Sequence, residues 1–425
     1  ADAIHPGYGF LSENPDFAQA VADAGLIWVG PTPDSIRAMA LKVEAKRLAE
    51  AAGVPLVPGA EVDADASDAD LIAAGNRVGY PLLVKASAGG GGKGMRTVTS
   101  EDELLDAVTT ARREASSSFG DPTVFFERYL IGARHVEVQV FGDSHGNAVH
   151  LYERECSIQR RHQKIIEESP SPGTTTATLD RMYAAAVSLT SEIGYVGAGT
   201  VEFLVAGSGD AQEFFFLEMN TRLQVEHPVT EEVVPGLDLV AWQLIVAQGG
   251  ALPLTQQEVP PRFGHAIEVR LYAEDPAADY LPSTGTVQTV GYPLFGSNHL
   301  WTRDDLSVEA GDEVTPYYDP MIGKIIASGL DRTAVALDLA RNLRGRDIAG
   351  ITTNRDSLVA ILESADFLAG ATPTNFLDHH PELAGPQLVD DATREQHLVA
   401  AALAAASRSR DAAAWASLAP IGWRN

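Results

Sequence analysis

Between Glu213 and His227 the chain reads Phe214-Phe215-Phe216-Leu217 and then Glu218-Met219-Asn220-Thr221-Arg222-Leu223-Gln224-Val225-Glu226. In the second part every other residue from Glu218 to Glu226 is polar. Alternate side chains of an extended segment share a face. Acid, amide, guanidinium, amide and acid would therefore project together, with apolar residues behind them. The pattern asks for a sheet with one dry side and one polar side. It admits two readings: a strand with a wetted face, or a face that holds a hard cation, grips an oxyanion and supplies a base.

The rest of the chain bears on that choice. Its 425 residues suffice for a large core in about two to four lobes. A net charge of −27 argues against a nucleic-acid partner, because a phosphate backbone needs a broad basic surface. An anionic ligand must instead meet a local basic pocket. There is no apolar run long enough to span a bilayer, so no membrane partner is expected. The single Cys156 excludes an internal disulfide and suits a reducing compartment, read here as the cytoplasm. Any metal site must use oxygen and nitrogen ligands. Both ends, Ala1-Asp2-Ala3 and Gly422-Trp423-Arg424-Asn425, read as cut, without a targeting segment.

Residues 26–30 read as a short buried strand and residues 33–52 as one helix stopped by Gly53 and Pro55. A small lobe is expected over 57–129. Its strands are 80–85, 95–99 and 124–127, and its helix is opened by Ser100 with Glu103 completing a capping box. From Arg134 a larger lobe begins. Val136, Val138 and Val140 alternate there with Glu137 and Gln139, and residues 142–147 make the turn. A second hairpin, 200–205 with 213–219, brings Glu202 and Glu218 near one end. Residues 239–247 read as an apolar helix, 265–274 as a strand, and 386–425 as a helical linker.

Three clusters carry chemistry. The loop Ala88-Gly89-Gly90-Gly91-Gly92-Lys93-Gly94-Met95 joins strand to strand, whereas the dinucleotide fingerprint needs strand to helix. Gly94 follows Lys93 where a Walker loop has Ser or Thr. What remains is a flap whose N–H groups can fold over a polyphosphate, or a plain turn. Lys85, on the apolar strand before it, favours the anion. Glu202, Glu218 and Asn220 form an all-oxygen set of the kind Mg²⁺ takes together with substrate phosphates. Residues 155–164, with Arg160, Arg161, His162 and Lys164, read as the local cationic pocket or as a solvated loop. Arg270 shares a strand face with Glu268, so it reads either as a functional cation or as half of a structural ion pair between them.

In this order, the blocks His5-Pro6-Gly7-Tyr8-Gly9-Phe10-Leu11-Ser12-Glu13-Asn14, Lys85 to Met95, Arg161-His162-Gln163-Lys164, Glu218 to Pro228 and Tyr317-Tyr318-Asp319-Pro320-Met321-Ile322 resemble biotin carboxylase. The resemblance runs to about residue 385. It implies an α/β (α+β) ATP-grasp fold with a partial N-terminal α/β lobe (1–56, truncated at its start), a small mobile lid (57–129), a larger C-terminal lobe (130–385) and the linker 386–425. It implies ATP-dependent carboxylation of carrier-bound biotin by bicarbonate through carboxyphosphate, within an acyl-CoA carboxylase. Lys42, Lys85, Gly91, Gly92, Met95, Glu127, Arg128, Tyr129, Leu130, His135, Gln159, His162, Glu202 and Glu218 would meet ATP. Glu202, Glu218 and Asn220 would hold Mg²⁺ or Mn²⁺. Lys164, Arg222, Gln224, the Val225 N–H and Glu226 would bind bicarbonate, with Glu226 as base. Arg270 and Tyr8 would face biotin. The implied partners are a biotin carboxyl carrier domain or protein, a carboxyltransferase subunit and further copies of the chain. A carbamoyl phosphate synthetase half and a non-catalytic assembly module are the rival readings.

Overall fold

The computed structural model describes residues 1–63, 65–86, 95–161, 163–291, 301–384 and 390–412. At 42, 43, 118, 119, 277, 384 and 408–412 it describes the backbone alone. The largest sheet has eight antiparallel strands in the spatial order Glu213–Asn220, Gly197–Ala206, Arg134–Gly142, Ala148–Arg160, Gln163–Ser169, His265–Tyr272, Met321–Gly329, Trp301–Leu306. Helices cover both faces. Val136, Val138, Val140, Val201, Phe203 and Val205 pack on Leu179, Met182, Ala186 and Leu189 of the helix Thr176–Glu192. Ile267, Val269, Leu271 and Ile325 pack on Val335, Leu339 and Leu358 from the helices Arg332–Arg344 and Arg355–Glu363. Burying one such side chain fully contributes about 1.5–3 kcal/mol.

The opposite face meets the short helix His227–Val233 and the helix Leu239–Ala247 through Phe141, Leu151, Ala198, Val229 and Trp242. Strand alternation sends Glu137, Gln139, Thr200 and Glu202 to this second face, where all four are buried. A β-bulge makes this possible on the outermost strand. Glu202 pairs with Glu218, but the next residue, Phe203, pairs with Phe216, so Leu217 is the extra residue. The core-facing series is therefore Phe214, Phe216, Met219 rather than a strict alternation.

The lid sheet has four antiparallel strands in the order Gly59–Glu61, Val124–Arg128, Leu82–Ala86, Met95–Val98. Leu82, Val84, Val124 and Phe126 point to its helices Asp68–Val78 and Glu101–Phe119. Leu83, Lys85, Phe125 and Glu127 point the other way. The connector before the lid bridges Leu56 to Phe216 and covers the edge of the large sheet.

Two local expectations change. The single helix over 33–52 is two, Pro33–Ala40 and Lys42–Ala51, because Leu41 is extended (φ −90°, ψ 107°). Neither Gly nor Pro marks that break. Ser100 makes no side-chain cap: Glu103 accepts instead from the Thr99 N–H and hydroxyl, each at 2.8 Å. The reciprocal capping box belongs to Ser67 and Asp70. The helix Asp391–Ala412 lies within the segment expected to be helical.

Candidate active site

Only the first part of the Glu218–Glu226 stripe is a strand. It ends at Asn220, and residues 221–226 form an irregular segment leading into the helix at His227. Glu13 fixes the turn by accepting from the Thr221 N–H at 2.9 Å and from Arg222 Nε at 3.0 Å. The strand thus delivers Glu218 and Asn220, while the loop delivers Arg222, Gln224 and Glu226.

Lys164 is the centre of the site. Its ammonium donates to Glu137 Oε2 at 2.6 Å, Glu202 Oε1 at 2.8 Å and Glu226 Oε1 at 2.8 Å. Asn220 Nδ2 reaches Glu202 Oε1 at 2.7 Å, and His135 Nε2 meets Glu202 Oε2 at 2.7 Å. Gln159 Nε2 sits 2.6 Å from His135 Nδ1, which makes Nδ1 the acceptor and Nε2 the protonated nitrogen. Arg270 spans two acids: its Nε donates to Glu167 Oε1 at 2.6 Å and its Nη2 to Glu226 Oε2 at 2.9 Å. The alternative of an Arg270–Glu268 ion pair does not form, because Arg270 turns toward the acids on either side of it in space rather than along its own strand.

Charge sets the protonation of these groups. Burial pushes the Glu226 carboxyl up, but Lys164, Arg270 and Arg154 outweigh it and hold Glu226 well below the usual carboxylate range. Glu202 is likewise lowered: burial opposes, and Lys164 and His135 prevail. Burial works against the Lys164 ammonium, yet Glu137, Glu202 and Glu226 keep it firmly protonated. Burial dominates at Glu137 and raises it.

Four contributors escaped the sequence reading. Glu137 is fully buried between Lys164 and Arg154; its alternation with valines was visible, its depth was not. Arg154, also fully buried, ties Glu137 to Gln139 and to Thr230 of the covering helix. His227 Nδ1–H donates to the Gln224 carbonyl at 2.8 Å. In a trans peptide the next N–H points the opposite way, so His227 sets the direction of the Val225 N–H. Lys324, buried on its strand, donates to the Val225 carbonyl and lies 5.7 Å from the Tyr8 ring centroid. No motif flagged Lys324, although it follows Met321-Ile322 by two residues.

In the lid, Glu127 receives both Lys46 and Lys85. Met95 stands opposite Lys85 on the neighbouring strand. The Arg128 and Tyr129 N–H groups bond to the Pro58 and Pro81 carbonyls, with Arg128 exposed and Leu130 half-buried. A cavity of about 260 Å³ connects lid and sheet, lined by residues that include Lys46, Lys85, Glu127, Glu218 and Asn220. A second, of about 670 Å³, shares Lys46 and Glu127 with it and runs along residues 56–63 and 123–127. The expected pocket over 155–164 contracts to Gln159 and Lys164. Arg160 turns to Glu274 and Arg161 to Asp279, and Glu155 and Cys156 are buried. Gly91, Gly92, His162 and the Lys42 side chain lie outside what is described.

Two features test the site against its implied ligands. Glu202 and Glu218 are direct cross-strand partners, Asn220 follows on the same face, and His135, Glu137 and Glu202 place ligand atoms within 4.8 Å of one another. An ammonium already sits among these carboxylates, so the donor set suits a hard cation. Gln224 Nε2 is buried without an acceptor among the described residues, and its Oε1 receives Arg222 Nη1 at 3.1 Å. A buried amide donor left open beside a guanidinium fits a small oxyanion.

Three family profiles match the chain in succession: "Biotin carboxylase, N-terminal domain" over residues 1–36, "Carbamoyl-phosphate synthase L chain, ATP binding domain" over 42–255 and "Biotin carboxylase C-terminal domain" over 268–379. The biotin carboxylase of Halalkalibacterium halodurans is 45% identical over 379 residues, covering 89% of this chain and 81% of the relative. The chain belongs to the biotin carboxylase family. Its α/β ATP-grasp fold, with N-terminal, lid and C-terminal lobes, is that of biotin carboxylases. The Campylobacter jejuni biotin carboxylase structure has a TM-score of 0.81 at 42% identity, covering 89% and 82% of the two chains. The biotin carboxylase domain dimer of Hydrogenobacter thermophilus 2-oxoglutarate carboxylase, in complex with MgADP, ADP and bicarbonate, gives 0.81 at 37%, covering 91% and 83%.

The mitochondrial methylcrotonoyl-CoA carboxylase alpha subunit of Glycine max is 48% identical over 383 residues, 90% of this chain and 51% of the relative. The chain thus spans about half the length of such curated relatives. These methylcrotonoyl-CoA carboxylase alpha subunits also correct the expected location. Those from Glycine max, Rattus norvegicus and Arabidopsis thaliana are all named mitochondrial, so the cytoplasmic reading is withdrawn. A lone buried cysteine suits any reducing compartment and never separated one from another. Among the described residues no helix is long and apolar enough to cross a membrane.

Proposed function

We propose that the chain carboxylates biotin on a biotin carboxyl carrier domain or protein, using ATP and bicarbonate, as the first half-reaction of an acyl-CoA carboxylase. The observation that carries the reading is one short loop, 221–226, that holds the open Gln224 amide with Arg222 bonded to it and ends at Glu226, which Arg270 and Lys164 meet. Bicarbonate is a weak electrophile, and this is an anion pocket with a carboxylate inside it.

In this reading Lys85, Met95, Glu127, Arg128, Tyr129, Leu130, His135 and Gln159 border the nucleotide, joined by Lys42, Gly91, Gly92 and His162 from the undescribed positions. Glu202, Glu218 and Asn220 hold Mg²⁺ or Mn²⁺, which when bound offsets phosphate charge and orients the γ-phosphoryl group. Arg222, Gln224, Lys164 and the Val225 N–H orient bicarbonate, and Glu226 takes its proton. In the ligand-free arrangement Lys164 and Arg270 make Glu226 a weak base. Bicarbonate entry draws those cations to its own oxygens and returns basicity to Glu226. The activated bicarbonate attacks the γ-phosphate and displaces ADP to form carboxyphosphate, which breaks down to CO₂ and phosphate; the phosphate accepts the biotin N1 proton and N1 bonds to CO₂, giving carboxybiotin. Arg270 then faces the ureido oxygen as negative charge develops there, with Tyr8 beside it.

The division 1–56, 57–129, 130–385 and 386–425 goes with this function: a closing lid, a rigid catalytic sheet and a helix leading toward a carboxyltransferase and carrier. Homo-oligomerisation is supported by the Hydrogenobacter thermophilus domain, whose structure is of a dimer. Sedimentation of the full chain reads it directly. The deciding experiment is ATP turnover with Mg²⁺ and bicarbonate, with and without free biotin. Stimulation by biotin is expected. Turnover driven by ammonia and indifferent to biotin would mark a carbamoyl phosphate synthetase-like activity and sink the reading.

A further inference from the structure

Glu167 and Glu268 take no part in the chemistry above, yet they lie against it. They are register partners on the antiparallel strands Gln163–Ser169 and His265–Tyr272, so their side chains leave the sheet on the same face. Both are fully buried. Of their four carboxylate oxygens only Glu167 Oε1 has a hydrogen-bond donor among the described residues, the Arg270 Nε at 2.6 Å. Glu167 Oε2 and both oxygens of Glu268 have none.

Two ionised carboxylates are acceptors only. Facing each other in a dry space with three bare oxygens, they would repel across the strands and leave lone pairs unsatisfied. One proton removes the repulsion and engages two of the three bare oxygens, because a neutral carboxylic acid is a donor and its neighbour an acceptor. The charges around the pair leave room for that proton. Its own strands add Lys164 and Arg270; the next strand adds Lys324 and, through it, Asp305. The covering helix and the residue before it bring Glu226, His227, Glu231 and Glu232, of which Glu231 is paired with Arg303 and Glu232 accepts from Ser328. The strand behind brings Arg154 and Cys156. The cations near enough to serve are already engaged, Lys164 with three acids and Lys324 with a carbonyl.

We propose that Glu167 and Glu268 hold one proton between them and act as a positioning pair for Arg270, presenting the guanidinium with a single negative charge. Burial drives both groups in the required direction: it pushes Glu167 up to about 7 and Glu268 well above the ordinary carboxyl range. With the proton in place, Arg270 is oriented through Nε while Nη2 stays on the Glu226 side. Once the proton is lost, two charges draw the guanidinium back and lower the positive potential it offers an incoming ureido oxygen. The part concerning biotin rests on the function proposed above; the shared proton does not.

The test uses the full chain and its Glu268→Gln variant, in which a neutral amide replaces the acid. Two readouts are needed. Infrared difference spectra at neutral pH, wild type minus E268Q, are expected to show the C=O band of a protonated carboxylic acid that shifts in D₂O. With MgATP, bicarbonate and free biotin, wild type is expected to lose kcat/KM for biotin on the alkaline side, and E268Q to lack that fall while keeping its neutral-pH value. Glu268→Ala removes the donor altogether and should raise KM for biotin about tenfold, the size of one disturbed charge-assisted hydrogen bond. A missing infrared band, or a pH profile for E268Q that superimposes on wild type, overturns the proposal. If biotin stimulates no turnover in any variant, the proposed function fails while the infrared band still decides the pair. Glu167→Gln carries the same two tests should E268Q not fold.

Discussion

Arg270 Nη2 lies 2.9 Å from Glu226 Oε2, while Lys164 Nζ lies 2.8 Å from the other oxygen of the same carboxylate. The proposed base is thus closed at both ends by the cations proposed to bind its substrates. This makes reactivity conditional on an anion arriving to share those cations. Glu226→Gln keeps the shape but cannot take a proton. Bicarbonate-dependent ATP turnover should fall by about 10²–10⁴, the usual worth of a positioned base. Calorimetric ATP binding should be unchanged, and wild-type turnover in the variant would remove Glu226 from that role.

Glu218 pairs directly with Glu202 across the hairpin. Glu218→Gln keeps the oxygen and loses the charge. The Mg²⁺ concentration for half-maximal ATP turnover should rise by at least about tenfold, since even outer-shell partners of a metal are worth that much. An unchanged Mg²⁺ titration contradicts the assignment.

Lys324 holds the Val225 carbonyl from a strand remote in sequence. Lys324→Met keeps the stem and leaves that buried carbonyl bare, at about 1–3 kcal/mol of stability in urea unfolding. The same loss frees the peptide next to the bicarbonate N–H. KM for bicarbonate should therefore rise while the affinity for ATP stays put. Equal losses in both would point to a general collapse of the fold.

Burial, then Lys324, push the His227 pKa down to about 3. An unfolded histidine titrates near 6.5. Between those values the unfolded chain binds a proton that the folded chain does not, so stability drops as the pH falls from 6.5 toward 3. Relative to His227→Gln, wild type should lose about 1.4 kcal/mol per pH unit in that window. Parallel stability–pH curves for the two proteins would show that His227 is not held neutral.

Much of this architecture is readable in alternation. Val136, Val138 and Val140 against Glu137 and Gln139, and the apolar helix Leu239–Ala247, appear where their patterns put them. Glu202, Glu218 and Asn220 do meet on one face. Beyond Asn220 the stripe leaves the strand, as the role expected for the off-face Val225 N–H required; what sequence did not show is that the course of this loop is set by Glu13, more than 200 positions away. Arg154, His227 and Lys324 were illegible for a related reason. Each acts through a partner that only the sheet order brings near, and a buried cation looks in sequence like any other. Arg270 drew attention, but its partners were not legible: the near neighbour in sequence, Glu268, offered only as the structural alternative, lost to Glu167 and Glu226 across the strands.

The extra residue at Leu217 gives the outer strand two phases. Before it, the aromatic rings interlock with the packed layer; after it, the same strand offers charge to the cleft. Removing one residue there would not merely shorten the chain. It would rotate Met219 into the cleft and drive Glu218 and Asn220 into hydrocarbon. This stretch therefore tolerates changes of side chain far better than changes of length, and its single irregularity functions as a timing mark for the whole site.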